Sequence, residues 1–225
     1  MHELKTSLNG FEMFDKKSVK EVLTKNERLM ALGHWFILRH GRLQPRWWVR
    51  KILNRFYHKI GKNTIIRSKH SRHDLFPWNK FEIGNDSDIE NFTVLNNGAG
   101  DVILGNRVLI GIGSVIIGPV TMGDGSGTGQ HVFISGFSHG FQDPEKETRE
   151  QPLEKHPVVM GEDVHIGSNS VVVAGVTIGK KTQIGAGSVV TRDIPPYSVA
   201  VGNPAKVVKR YNFETKCWEN TRGLQ

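Results

Sequence analysis

The sequence predicts an all-β chain wound as a parallel β-helix, on three observations. Large apolar residues recur every six positions, as Leu104, Ile110, Ile116, Met122 and Ile134, with Thr128 the one polar member. The same spacing runs unbroken through Met160, Ile166, Val172, Ile178, Ile184 and Val190. Glycine follows that residue at Gly105, Gly111, Gly123, Gly129, Gly161, Gly167, Gly179 and Gly185. Four positions after it stands a small or β-branched residue, such as Val108, Ser114, Val120, Val164, Ser170 or Ser188.

A 3.6-residue helical period cannot stay locked to six over so many cycles, and plain strand alternation would not space glycine so regularly. Six-residue repeats instead give one short strand and one turn each, stacked in coils that bury a core only against their neighbours. The large aliphatic points inward. The glycine marks the bend, where a side chain would collide or φ would be forbidden. A shorter run, Ile83, Ile89 and Leu95, precedes the main block and slips in phase near Asn97–Gly100.

The composition agrees with a long, thin solid rich in turns. Among 225 residues 37% are hydrophobic and 25 are glycine. Cys217 is the only cysteine, so no disulfide framework exists within one chain, which fits a reducing compartment. The opening MHELKTSLNG lacks a charged-then-apolar signal pattern. The longest apolar run, Leu29 to Leu38, is broken by Gly33 and His34 and is too short to span a bilayer. These features point to a cytoplasmic protein, with the inner face of the membrane as a possible station.

The net charge of +8 is unevenly spread, for residues 1–80 hold 18 Lys and Arg against 6 Asp and Glu. Such a segment suits an anionic lipid surface, an anionic substrate or nucleic acid. It contains no recognisable nucleic-acid module. Three segments result: a basic helical segment 1–59, a β-helix 60–206, and a tail 207–225. Within the first, Val19, Val22, Leu23, Leu29, Leu32 and Phe36 have helical spacing. Pro45 opens a second helix, Arg46 to His58, in which Trp47, Trp48, Ile52 and Phe56 alternate with Arg50, Lys51 and Arg55. That helix either touches a membrane or packs over the end of the β-helix. The tail, with Phe213 and Trp218, reads as helical.

Residues 135–157 break the repeat once, and the phase resumes afterwards, so this polar loop leaves and re-enters at one corner. Long loops on rigid scaffolds commonly carry function. Together with the repeats and the run IGAGSVVTRDIPPYSVAVGNPAKVV at 184–208, it resembles the hexapeptide-repeat acyltransferases, a left-handed β-helix family. The nearest branch resembles the O-acetyltransferases of galactosides, maltose and surface polysaccharides. The resemblance covers about residues 60–210 and implies a homotrimer using acetyl-CoA, with no metal. The acceptor it suggests is a sugar hydroxyl on a polysaccharide or glycan precursor.

The resemblance assigns His139, five residues past Ile134, as general base. An alcohol attacking a thioester must shed its proton, and neutral imidazole suits that near pH 7. It assigns CoA contacts to Ser168, Ala186, Thr191, Lys206 and Lys209, and Asp143 is placed to touch a sugar hydroxyl. Relatives often carry Trp where this chain has His165. Other readings are a xenobiotic acetyltransferase, a γ-carbonic-anhydrase-like zinc enzyme using His131, His139 and His165, and a non-catalytic trimeric scaffold.

Overall fold

A computed structural model describes residues 27–38 and 44–221. The chain divides into two units, one ending at Arg46 and one beginning at Trp47. In the first, helix α1 spans Glu27–Ile37. Arg46 serves as its C-terminal cap: Nε donates to the Leu38 carbonyl at 2.8 Å and Nη2 to the Trp35 carbonyl at 2.8 Å. A cation at the negative end of the helix is favourable for both hydrogen bonding and dipole reasons. The predicted residues Val19, Val22 and Leu23 lie outside the described residues.

The second unit is a left-handed parallel β-helix with three faces. The first face stacks Lys59–Ile60, Phe81–Ile83, Val102–Leu104, Val120–Met122, Val158–Met160 and Thr177–Ile178. The second begins at Ile65–Ile66 and runs through Asp88–Ile89, Leu109–Ile110, Gly127–Thr128, His165–Ile166 and Gln183–Ile184 to Ser198–Val201. The third stacks Arg72–Asp74, Val94–Asn96, Val115–Ile117, Phe133–Ser135, Val171–Val172 and Val189–Val190.

The period-six residues meet inside. Ile89, Leu95, Ile110, Ile116, Ile134, Val172, Ile178 and Val190 are completely buried, and the second set of the pattern, Val108, Ser114, Val164, Ser170 and Ser188, is buried beside them. Thr128 occupies an aliphatic position without a free hydroxyl, because its Oγ1 accepts the Gly111 N–H at 3.0 Å. The repeated glycine answers a close approach of backbones. A Cβ on Gly111 would lie 2.4 Å from the carbonyl oxygen of Gly129 in the next coil. Positive φ falls elsewhere in the turns, on residues such as Arg107, His131 and Lys181.

Strand partners show how the coils are counted. Val102 pairs with Val120, 18 positions on, but Val120 pairs with Val158, 38 positions on. The excess of 20 comes from the loop 135–157, whose 23 residues stand where the preceding coil has three, 117–119. The phase slip near Asn97 has the same origin on a smaller scale: Leu95 pairs with Ile116, 21 positions on. Asn97 fills that corner by accepting the Phe76 N–H at 2.7 Å and donating to the Phe76 and Asn79 carbonyls.

Both ends of the stack are covered. Residues 47–57 form a helical stretch containing a π turn, Val49–Leu53, and a short helix, Asn54–Tyr57. Val49 and Asn54 are buried, and Asn54 Nδ2 donates to the Leu75 carbonyl at 2.9 Å. At the other end the tail is β, not helical. Lys206–Asn212 pairs antiparallel with Ser198–Val201, and Cys217–Asn220 pairs antiparallel with Lys206–Asn212. The ribbon supplies hydrogen bonds to the last open strand edge, which a helix could not do. Tyr197, Tyr211, Phe213 and Trp218 meet edge-to-face along it. Among the described residues no helix is long and apolar enough to cross a membrane.

Candidate active site

The loop 135–157 leaves from the corner between the third and first faces. Its neck is tight. Gly136 passes so near Pro119 that a Cβ there would lie 2.0 Å from the Pro119 carbonyl oxygen, and the Gly136 carbonyl accepts the returning His156 N–H at 2.9 Å. Between those points Phe137–His139 and Leu153–Lys155 form an antiparallel ribbon, with His139 opposite Leu153 at its outer end. His139 is exposed, and its ring meets the Phe137 ring edge-on at 5.8 Å. The ribbon thus holds an imidazole clear of the coil on hydrogen-bonded backbone.

Beyond the ribbon the loop folds on itself. A cavity of about 300 Å³ is lined by Gly140, Gln142, Asp143, Lys146, Gln151 and Glu154, among others. The Asp143 carboxylate is engaged inside the loop, 2.7 Å from Lys146 Nζ and accepting the Glu145 N–H at 3.1 Å. The Lys146 contact, then the Glu145 N–H, hold its carboxyl below the usual range, against a small opposing desolvation.

The remaining candidates divide between corners. Ile110, Thr128, Ile166 and Ile184 are register partners on the second face, so Ile112, Gln130, Ser168 and Ala186, two residues on, form a row at the corner between second and third faces. Ser168 Oγ donates to Gln130 Oε1 at 2.6 Å and accepts the Gln130 N–H at 3.1 Å. Lys206 pairs with Val201 at the end of this row, whereas Lys209 pairs with Val199 in the middle of the second face; both lysines are exposed. Thr191 follows Val190, the partner of Val172 and hence of Ile134, so it shares the His139 corner. Within one chain, therefore, Ser168, Ala186 and Lys206 stand apart from His139 and Thr191.

Sequence reasoning missed Gln130. It stands at the Ser168 position one coil earlier, and counting register from Thr128 would have found it. Gln151 was missed as well; its amide ties Asp143 into the loop.

The three histidines of the zinc reading occupy separate places. His131 lies at the second–third corner, and His165 points out from the second face, 3.3 Å from Asp163 Oδ1. Among the described residues no three His, Cys, Asp or Glu side chains gather as a metal site.

Between the two corners runs the third face, and its outward column starts with Arg72 in the first coil and is apolar from there on: Val94, Val115, Phe133, Val171 and Val189. Phe133 is 40% exposed.

Residues 157–192 match the family described as bacterial transferase hexapeptide, six repeats. A protein named for lipopolysaccharide biosynthesis O-acetyl transfer, WbbJ of Escherichia coli K12, is 40% identical over 107 residues, 44% of this chain and 55% of that one. The chain thus spans about half the length of that relative. A maltose O-acetyltransferase from Clostridium difficile 630 superposes with a TM-score of 0.50 at 26% identity, over 84% of this chain and 88% of that one. AntD, an N-acyltransferase from Bacillus cereus solved with dTDP-4-amino-4,6-dideoxyglucose and coenzyme A, has a TM-score of 0.60 at 21% identity, over 74% and 91%. Residues 157–192 carry the bacterial transferase hexapeptide repeat, and the likeness of the chain to AntD is one of fold.

Proposed function

We propose that this hexapeptide-repeat chain transfers an acetyl group from acetyl-CoA to a sugar hydroxyl, with His139 as general base. The observation that carries the reading is the display of His139: an exposed imidazole on a short, pinned ribbon at a coil corner. A neutral ring nitrogen takes the hydroxyl proton as the sugar oxygen attacks the thioester carbonyl. The tetrahedral intermediate then collapses, the carbon–sulfur bond breaks, and the imidazolium returns the proton to the departing thiolate. Backbone N–H groups of the glycine-rich turns are the candidate donors to the oxyanion.

Acetyl-CoA would run along the row of Ser168 and Ala186, whose modest side chains let pantetheine approach the backbone, with Lys206 and Lys209 facing its phosphates and Thr191 on the His139 side. The names of the E. coli and C. difficile relatives favour an O-acetyl transfer to sugar. A glycan precursor for surface polysaccharide is our reading of the acceptor, handled in the cytoplasm where acetyl-CoA is made. Asp143 would line the acceptor side of the loop.

The two separated corners favour a homotrimer. If three copies turn their third faces to a common axis, each His139 corner meets the Ser168 corner of the next copy, giving three equivalent grooves. The apolar column on that face suits such burial.

The test is acetyl transfer to candidate glycans by wild type, His139→Ala and His139→Asn. Both variants should lose about 10²–10⁴-fold in kcat while keeping CoA affinity, because the proton moves only in the transition state. Wild-type turnover by either variant would remove His139 from the reaction.

A further inference from the structure

The stretch 47–57 closes the end of the first coil with one face and leaves the other uncovered. The inner side is Val49 and Asn54. The Asn54 N–H reaches back to the Val49 carbonyl, the five-residue bond of a π turn. Facing away are Trp47, Ile52 and Phe56, which are 72%, 54% and 78% exposed. Arg50, Lys51 and Arg55 are exposed among them, and none pairs with a carboxylate among the described residues. From Trp47 to Ile60 the sequence holds four basic residues and no acidic one. Ile60 and Ile65, on the outermost strands of the first coil, are also more than half exposed.

A helix that only caps a repeat stack needs a polar outer face to stay soluble. This one is aromatic and aliphatic, and its cations lack counter-ions among the described residues. Rings and aliphatics interleaved with Arg and Lys on one helix side suit the boundary of an anionic bilayer. There the apolar groups reach the acyl boundary and the cations meet lipid phosphates. The excess of 18 basic over 6 acidic residues in positions 1–80 adds a longer-range attraction of the same sign.

We propose that the outer face of residues 47–57 docks in the plane of an anionic lipid surface, laying the first coil of the β-helix against the membrane. The inference rests on this surface alone and stands independently of the catalytic assignment. In the proposed trimer the three first coils lie at the same end, so three weak contacts would act together.

Co-sedimentation of the full chain with vesicles tests it, using phosphatidylglycerol mixed into phosphatidylethanolamine and, separately, phosphatidylcholine alone. The wild type should bind the anionic vesicles, release with added salt, and ignore phosphatidylcholine. Each basic side chain near such a surface contributes about five-fold in binding, so Arg50→Gln, Lys51→Gln, Arg55→Gln combined should lose about a hundred-fold. Trp47→Ser with Phe56→Ser should also abolish binding, with thermal unfolding and mass in solution unchanged. No binding by the wild type at low salt would overturn the proposal. So would undiminished binding by both variants. Loss of the oligomer in the Trp47→Ser, Phe56→Ser variant would likewise overturn it, since the face would then belong to another copy of the chain.

Discussion

Gln151 grips Asp143 through both ends of its amide: Oε1 accepts the Asp143 N–H at 3.0 Å, and Nε2 donates to the Asp143 carbonyl at 2.9 Å. The same Nε2 reaches the Lys146 carbonyl at 3.1 Å. One half-buried side chain thus takes up three main-chain groups that would otherwise hold the loop tip only through water. Gln151→Ala should loosen the loop by about 1–3 kcal/mol. The expected readout is faster protease cleavage within 135–157 and a lower kcat, with the KM for acetyl-CoA unchanged. Equal cleavage and equal kcat would show that the loop is held by other contacts.

The apolar third face gives a second expectation. Phe133 and Val171 point away from the core, so charging them should leave the coil intact. Phe133→Glu with Val171→Glu should reduce the mass in solution to that of one chain and abolish transfer, because the Ser168 row would lose the His139 corner of its neighbour. Light scattering and circular dichroism separate this outcome from unfolding. A folded, active single chain would sink the proposed groove.

The β-helix was legible because every coil repeats one offset: Ile110, Ile166 and Ile184 carry the same instruction, so a single exception such as Thr128 does not obscure it. The period of six restarts at Met160, 26 residues after Ile134, so the sequence shows where 135–157 interrupts the coil, and the pairing of Val120 with Val158 shows that it returns to the corner it left. The split of the candidates between corners was also written there, since Ser168 and Ala186 are 18 apart and Thr191 falls five later, but it needs the coil length, which only strand pairing supplies. The tail was misread as helical because it lacks the repeat. Its conformation is set by the open edge of Ser198–Val201, a tertiary demand with no local signature. The use of Asp143 inside its own loop depends on Lys146 and Gln151 folding back, and spacing from His139 could not reveal it.

A third expectation concerns the lysines. Lys206 ends the Ser168 row and Lys209 lies three residues further along the same strand, opposite Val199, both exposed. Lys206→Glu and Lys209→Glu should each weaken CoA binding by about five- to thirty-fold, the range of charge-assisted contacts. The thermal midpoint should hold. Calorimetric titration with CoA reads this directly, and an unchanged affinity in the double variant would move the phosphates elsewhere.

The last expectation is a pH dependence of stability centred on His73. Its ring is buried in the first coil, with Nε2 at 3.2 Å from Thr93 Oγ1. Burial, aided by the nearby Arg50 charge, pushes it down to about 4 from an ordinary 6.5. Above pH 6.5 the ring is neutral in both folded and unfolded chains, and its contribution is constant. As pH falls from 6.5 toward 4, the unfolded chain binds a proton that the folded chain refuses, so stability drops. The loss approaches about 3 kcal/mol once pH reaches the folded value. His58, also lowered by burial, acts in the same direction. Urea unfolding at fixed protein concentration, near pH 7.5 and near pH 5, should show the wild type weakened at the lower pH. His73→Gln should be less stable near neutrality yet lose clearly less between the two conditions. An identical pH slope in wild type and variant would mean that His73 does not titrate as its burial requires.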